Sequence, residues 1–306
     1  MNQPTRGGDA PAQKRDAKPA LLGVACGFGA ALFWALGFVA TRHGLKVGFT
    51  PPDLLMHRFL WSGLVFLPLV LRAGIADLGG IGWRRGMVLM VLGGPVMSLI
   101  SYTGFLFVPL GHGSVIQPSS ATLGSLLLAA LFLRERVPPS RVAGAVVIIG
   151  GLAVIGAESI GHIGSDGVLG DLLFVMTGLM FAVFGTLLRH WRVSAFSAAT
   201  VISVVSLALL PLYAAIEGFA RVAVLGWAEN ALQALAQGIL AGPAALYLFA
   251  FSIQTIGVAR AAVFPATVPA LTILAGWLLL GETPTALQAA GLVTVLCGFY
   301  LAQRQR

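Results

Sequence analysis

Charge is scarce in this sequence. One residue in ten is Asp, Glu, Lys or Arg, where an ordinary soluble domain carries about a quarter. Acidic residues are scarcest, 11 in 306. None sits near the middle of an apolar run; Asp53, Glu135, Asp171, Glu217 and Glu282 all fall at run ends. That absence argues against a proton-driven pump with a buried acidic relay and against a carrier for strongly cationic drugs. Cysteine is nearly absent too. Cys26 and Cys297 lie in apolar stretches and read as small packing residues, which leaves no disulfide framework and no Cys/His metal cluster. There is no H-E-x-x-H, G-x-S-x-G or Walker loop. Enzymatic chemistry, direct ATP coupling, a cofactor and a metal therefore lack sequence support.

What is abundant is apolar: 58% of residues, with a mean hydropathy of +0.91. Runs near 20 residues recur, each long enough to cross roughly 30 Å of hydrocarbon. In lipid every backbone polar group needs an internal partner, so such runs must be helices. The spacing predicts ten, at about 21–43, 52–72, 86–109, 112–133, 140–157, 168–190, 195–215, 231–256, 259–280 and 285–303. Pro51-Pro52, Pro138-Pro139 and Pro284 stand where helices begin, where a missing N–H costs nothing.

The formal charge of +8 forms no single basic patch, so nucleic acid is not an expected partner. The basic residues instead mark sides. With ten helices and a cytoplasmic N-terminus, Arg42, Lys46, Arg58 and Arg221 lie outside and the other 15 of 19 inside. That asymmetry satisfies the positive-inside rule and places both termini in the cytoplasm. Residues 1–19 read as a disordered cytoplasmic tail without signal-peptide design.

The chain also repeats itself. A shift of 147 residues lays Pro118 on Pro265, Glu135 on Glu282, Gly144 on Gly291 and Gly151 on Gly298. With one residue of slack, Gly93-Gly94-Pro95 lies on Ala241-Gly242-Pro243, and Gly37 on Gly185. The expected organisation is a first five-helix repeat over 20–157 and a second over 158–306. Five is odd, so the second repeat inserts upside down, an arrangement that suits alternating access in a transporter.

These residues resemble the EamA-type transporters of the drug/metabolite transporter superfamily, and within it the YddG-type exporters of aromatic and other neutral amino acids. The resemblance is carried by Phe33-Trp34-Ala35-Leu36-Gly37, by Arg58, and by the twice-used Pro-x16-Glu with Gly nine residues on, at 118/135/144 and 265/282/291. It implies an all-α bundle of ten helices around a central cavity formed by helices 1–4 and 6–9, in a bacterial inner membrane.

Candidate site residues are the polar groups at membrane depth and the prolines. Pro68, Pro95, Pro118, Pro211, Pro243, Pro265 and Pro269 are expected inside helices, where each removes a hydrogen bond and forces a kink. They pair across the halves as gating hinges, or packing simply absorbs the kinks. Gln117 beside Pro118 needs a partner for a whole amide and points to a wet cavity; Ser119, Ser120 and Thr122 serve equally as helix glue. Tyr247, Phe251 and Gln254 form one α-helical stripe, and Trp34, Phe38 and Tyr102 are aromatic candidates beside them, for substrate or for packing. Arg58 either snorkels and pairs with Asp53, or reaches a vestibule and meets a carboxylate, with His57 as a possible proton-coupling neighbour. His43, His112, His162 and His190 read as interfacial, and Glu135 and Glu282 as helix-end ion pairs or gate latches.

The expected function is export of small amphipathic metabolites, neutral or aromatic amino acids first, with membrane lipid as the surroundings. A broad-specificity drug or metabolite exporter and a non-transporting scaffold are the alternatives. Monomer and homodimer stay open.

Overall fold

The computed structural model describes residues 17–132, 138–158, 160–161, 164–261 and 263–303. Glu135 and His162 lie outside them. The described chain is all-helical: α1 Ala17–Val47, α2 Pro51–Ala73, α3 Trp83–Gly104, α4 Leu110–Leu131, α5 Pro139–Glu158, α6 Ser165–Trp191, α7 Ala195–Ile216, α8 Gly226–Ile256, α9 Val263–Leu280 and α10 Ala286–Gln303. Among the described residues, α1 to α9 are long and apolar enough to cross a membrane, while α10 offers a shorter apolar stretch, Ala286–Ala302. The expected tail is shorter than anticipated, because helix begins at Ala17.

Local chemistry explains the boundaries. Thr50 caps α2 with its hydroxyl on the Asp53 N–H, Asp53 returns a bond from the Thr50 N–H at 2.8 Å, and Pro51-Pro52 fill the first turn. Ser194 caps α7. Two expected continuous helices are broken. In α3 the chain leaves helical geometry at Gly94, immediately before Pro95, and a Cβ there would overlap the Met90 carbonyl and Ile202. In α8 residues 234–244 wind as a wide π-helix interrupted at Gly242, immediately before Pro243. The two breaks fall on the matching Gly-Pro pairs of the repeat.

Packing follows the same exchange. α1 lies against α8 and α9, as α6 lies against α3 and α4; α2 packs on α7, and α5 on α10. The last pair is the closest. A Cβ on Gly144 would strike the backbone of Gly298 and Ala302, one on Gly151 that of Gly291, and the reverse holds for Gly291 and Gly298. Without a hydrophobic force between helices in lipid, this small-residue approach supplies the van der Waals contact. Two cores flank the interior, one around Phe59, Phe66, Leu89 and Phe184, the other around Phe105, Phe174, Ile148 and Val295. The exterior is apolar as well, with Leu127, Val146, Leu172, Leu278 and Tyr300 exposed.

Candidate functional site

Gln233 at the end of the α-helical start of α8 and Gln237 within the wide stretch both face α1, and both are buried. Gln237 Nε2 donates to the Gly37 carbonyl at 3.0 Å and to the Thr41 hydroxyl at 2.6 Å. Its Oε1 accepts from the Tyr102 hydroxyl of α3 at 3.3 Å. Gln233 Nε2 donates to the Ala40 carbonyl at 3.0 Å, while its Oε1 is buried with no donor among the described residues. Half-buried Arg58 of α2 reaches the same phenol. It has no carboxylate at ion-pair distance among the described residues. Arg58 also lies over the Phe59 ring at 5.9 Å. A buried acceptor without a donor and a cation without a carboxylate are costly in an apolar bundle, which makes the cluster the candidate site.

Beside this node, Ser101 donates to Gln117 Oε1 at 3.1 Å. Phe38 meets Phe105 edge-on at 5.9 Å, and Trp34 meets Phe249 at 5.3 Å. Ser120 is buried against Gly178 of α6, a packing contact, and Thr122 bonds back to the Pro118 carbonyl. The stripe expected from α-helical spacing does not join the node. Leu248, Phe249 and Thr255 face α1, so Tyr247, 64% exposed, sits on the opposite side of α8. Phe251 is half-buried nearby, and Gln254 is exposed near the helix end.

Arg58 does not pair with Asp53. Asp53 instead takes Arg221 at 3.1 Å and the Tyr213 hydroxyl at 2.7 Å. His57 is buried and spoken for: its Nδ1 accepts from Trp61 Nε1 at 3.3 Å, and its Nε2 faces Asn230 Oδ1 at 3.0 Å. The Asn230 amide nitrogen donates to two carbonyls, Val222 and Gly226. Its oxygen must therefore accept, and His57 is a neutral imidazole with its proton on Nε2. His112, expected at the interface, is completely buried.

The prolines divide into two kinds. Pro95 and Pro243 follow helix breaks, and Pro211 opens the last turns of α7 after a 3₁₀ turn, Leu207–Leu209. Pro68, Pro118 and Pro269 lie inside continuous helices. Pro265 lies in helix at the described start of α9, with Val258–Ala261 helical as well and residue 262 outside the described residues.

Ion pairs between described residues gather at one end of the bundle, the end expected outside. Glu282, after α9, binds Arg42 at 2.8 Å and Lys46 at 2.6 Å, both from α1. It also accepts from the Leu110 N–H at the start of α4 at 3.3 Å. Burial pushes this carboxyl up, but the bonds from Lys46, Arg42 and Leu110 prevail and hold it below the usual carboxylate range. His43 pairs with Glu229 at 2.9 Å, again joining α1 to the second half. An apolar groove of about 270 Å³ lies apart from the node, between α2, α3 and α7.

The geometry defines a class: a multi-pass helical membrane protein with Arg58, Tyr102, Gln233 and Gln237 as polar side chains inside the bundle. The sequence pattern of the EamA-like transporter family matches residues 21–157 and again 168–303, and the chain belongs to that family. It is 27% identical over 280 residues to an uncharacterized transporter of Archaeoglobus fulgidus, covering 90% of this chain and 96% of that one. It is 24% identical over 286 residues to the uncharacterized transporter YdfC of Bacillus subtilis, covering 88% and 87%. A crystal structure 19% identical in sequence shares the fold with a TM-score of 0.62, covering 94% of this chain and 97% of that one.

Proposed function

We propose that this protein is a secondary transporter that exports small amphipathic metabolites, neutral and aromatic amino acids foremost, across a bacterial inner membrane by alternating access. The observation that carries the reading is the node of Arg58, Tyr102 and Gln237, a cation without a carboxylate of its own beside aromatic rings. A substrate carboxylate supplies the anion that Arg58 lacks among the described residues. The side chain rests on Phe38 and Trp34, with Ser101 and Gln117 at its edge. Gln233 Oε1, buried without a donor, is the acceptor an ammonium group needs. The resemblance to YddG-type exporters favours the same substrates.

Alternating access is supported by the repeat. The two family matches separate the halves between 157 and 168. The contact Gly144–Gly298 becomes Gly151–Gly291 when the halves are exchanged, as a two-fold axis between antiparallel α5 and α10 requires. α10 is then a tenth crossing, about 27 Å long at 1.5 Å per residue, with both termini cytoplasmic. The paired Gly-Pro breaks in α3 and α8 are the hinges, and Glu282, with Arg42 and Lys46, is the latch of the outer end.

Purified protein in liposomes loaded with unlabelled L-phenylalanine should accumulate labelled L-phenylalanine, and Arg58→Gln should abolish most of that counterflow. No uptake above empty liposomes sinks the substrate assignment. The groove between α2, α3 and α7 favours a second reading, a broad exporter of amphiphiles. Competition by unrelated amphiphiles lacking a carboxylate would select it.

A further inference from the structure

His112 stands at the start of α4 with no exposed surface, between two carboxylates. Its Nδ1 is 2.9 Å from Asp171 Oδ1 on α6, and its Nε2 is 3.7 Å from Glu158 Oε2 at the end of α5. Glu158 in turn accepts from the Thr285 hydroxyl at 2.9 Å and from Gln288 Nε2 at 3.1 Å, at the start of α10. Four helices thus converge on one imidazole. A cavity of about 360 Å³ at the outer end is lined by Glu158 and Gln288 on one side and by Arg42 and Glu282 on the other. It gives water a route to Glu158.

Protonation state matters here more than elsewhere in the molecule. As an imidazolium, His112 donates through Nδ1 to Asp171 and carries its charge within ion-pair reach of Glu158, 3.7 Å from Nε2. As a neutral ring it turns a lone pair toward one of them, a repulsion that low dielectric strengthens. Among the described residues, the charged groups that face this triad are Asp171 from α6, Glu158 from α5, and Arg42 and Glu282 across the cavity, with Lys46 behind Glu282. Arg42 and Lys46 are engaged by Glu282. The latch is also mechanically close, since Glu282 holds the N–H of Leu110, two residues before His112.

We propose that Asp171, His112 and Glu158 form a proton-binding site that couples external pH to the outer closure. A bound proton clamps α4, α5, α6 and α10 together, and its release loosens the outer end. In transport this makes the proton the coupling ion, a use that rests on the export reading above; the site itself does not.

The test needs no substrate. In protein carrying Cys26→Ala and Cys297→Ala, a single thiol is introduced by Ile273→Cys, in the cavity wall, or by Thr283→Cys, on the exposed rim. Reconstituted protein is labelled with a membrane-impermeant maleimide at several pH values, and the rate at 273 is divided by the rate at 283 to cancel thiol ionisation. The ratio should climb as pH rises, by up to about tenfold per unit for one linked proton. His112→Gln and Glu158→Gln should flatten it. A flat ratio in the parent protein, or a parent-like profile in the variants, overturns the proposal. Should His112→Gln fail to give monodisperse protein, Glu158→Gln, which keeps shape and hydrogen bonding, decides. Loss of L-phenylalanine counterflow with an intact pH profile would instead refute the substrate reading alone.

Discussion

At the scale of residues, the account turns on Arg58 and Gln237. A charge-assisted hydrogen bond is worth about 1.5–3 kcal/mol. Arg58→Gln should therefore raise the KM for L-phenylalanine about ten- to a hundredfold, while inhibition by phenethylamine, which lacks the carboxylate, stays unchanged. Proteoliposome kinetics with both compounds checks this. Gln237→Leu leaves the Tyr102 and Thr41 hydroxyls short of a partner, and interhelical bonds in membranes contribute about 0.6–1.7 kcal/mol each. Its thermal unfolding midpoint in detergent should fall. Gln117 stood out in the sequence as a polar group at membrane depth, Tyr102 as an aromatic candidate, and Arg58 as a residue near the outer interface. Gln233 and Gln237 did not stand out, because the aromatic stripe of Tyr247, Phe251 and Gln254 dominates the pattern of α8, while the face that meets α1 is set by packing with residues about 200 positions away. A signal existed in retrospect: two glutamines four residues apart in an apolar run. The partners of Arg58 and Asp53 were unreadable, since Arg221 comes from 168 residues away.

At the scale of elements, helix ends were the most legible feature, because lipid permits little besides apolar helices and because Pro, Gly and capping Thr50 punctuate them. Breaks within helices were legible only as prolines. Whether a proline opens a helix, as Pro95 does, or is absorbed, as Pro118 is, depends on what packs beside it. The α5–α10 pair makes a sharp prediction. Gly144→Leu forces the helices apart and should destabilise the protein by about 1–3 kcal/mol, seen as a lowered unfolding temperature, whereas Gly150→Leu, at a position with open space around it, should not. The Glu282 latch has a pH signature of its own. Its carboxyl is held below the usual range, so the stabilisation it gives is complete above that range and is lost only as pH falls through the lowered value. Mild external acidification should leave it intact, while Glu282→Gln should raise maleimide labelling of a thiol placed by Ile273→Cys several-fold at every pH.

At the scale of the whole molecule, few charges, paired breaks and a self-matching glycine seam form one design. Two like halves meet along α5 and α10, the ion pairs between described residues gather at one end, and Arg58, Tyr102 and Gln237 meet within. The transport reading gives a use to an arginine without a carboxylate among the described residues and to helix breaks at matched positions. The central claim is transport of neutral and aromatic amino acids through the Arg58–Tyr102–Gln237 node. Its most direct test is counterflow of labelled L-phenylalanine into proteoliposomes at equal pH on both sides, comparing the protein with Arg58→Gln. The account predicts uptake well above protein-free liposomes, largely lost in the variant. Uptake equal to that of protein-free liposomes, or undiminished in Arg58→Gln, would contradict it.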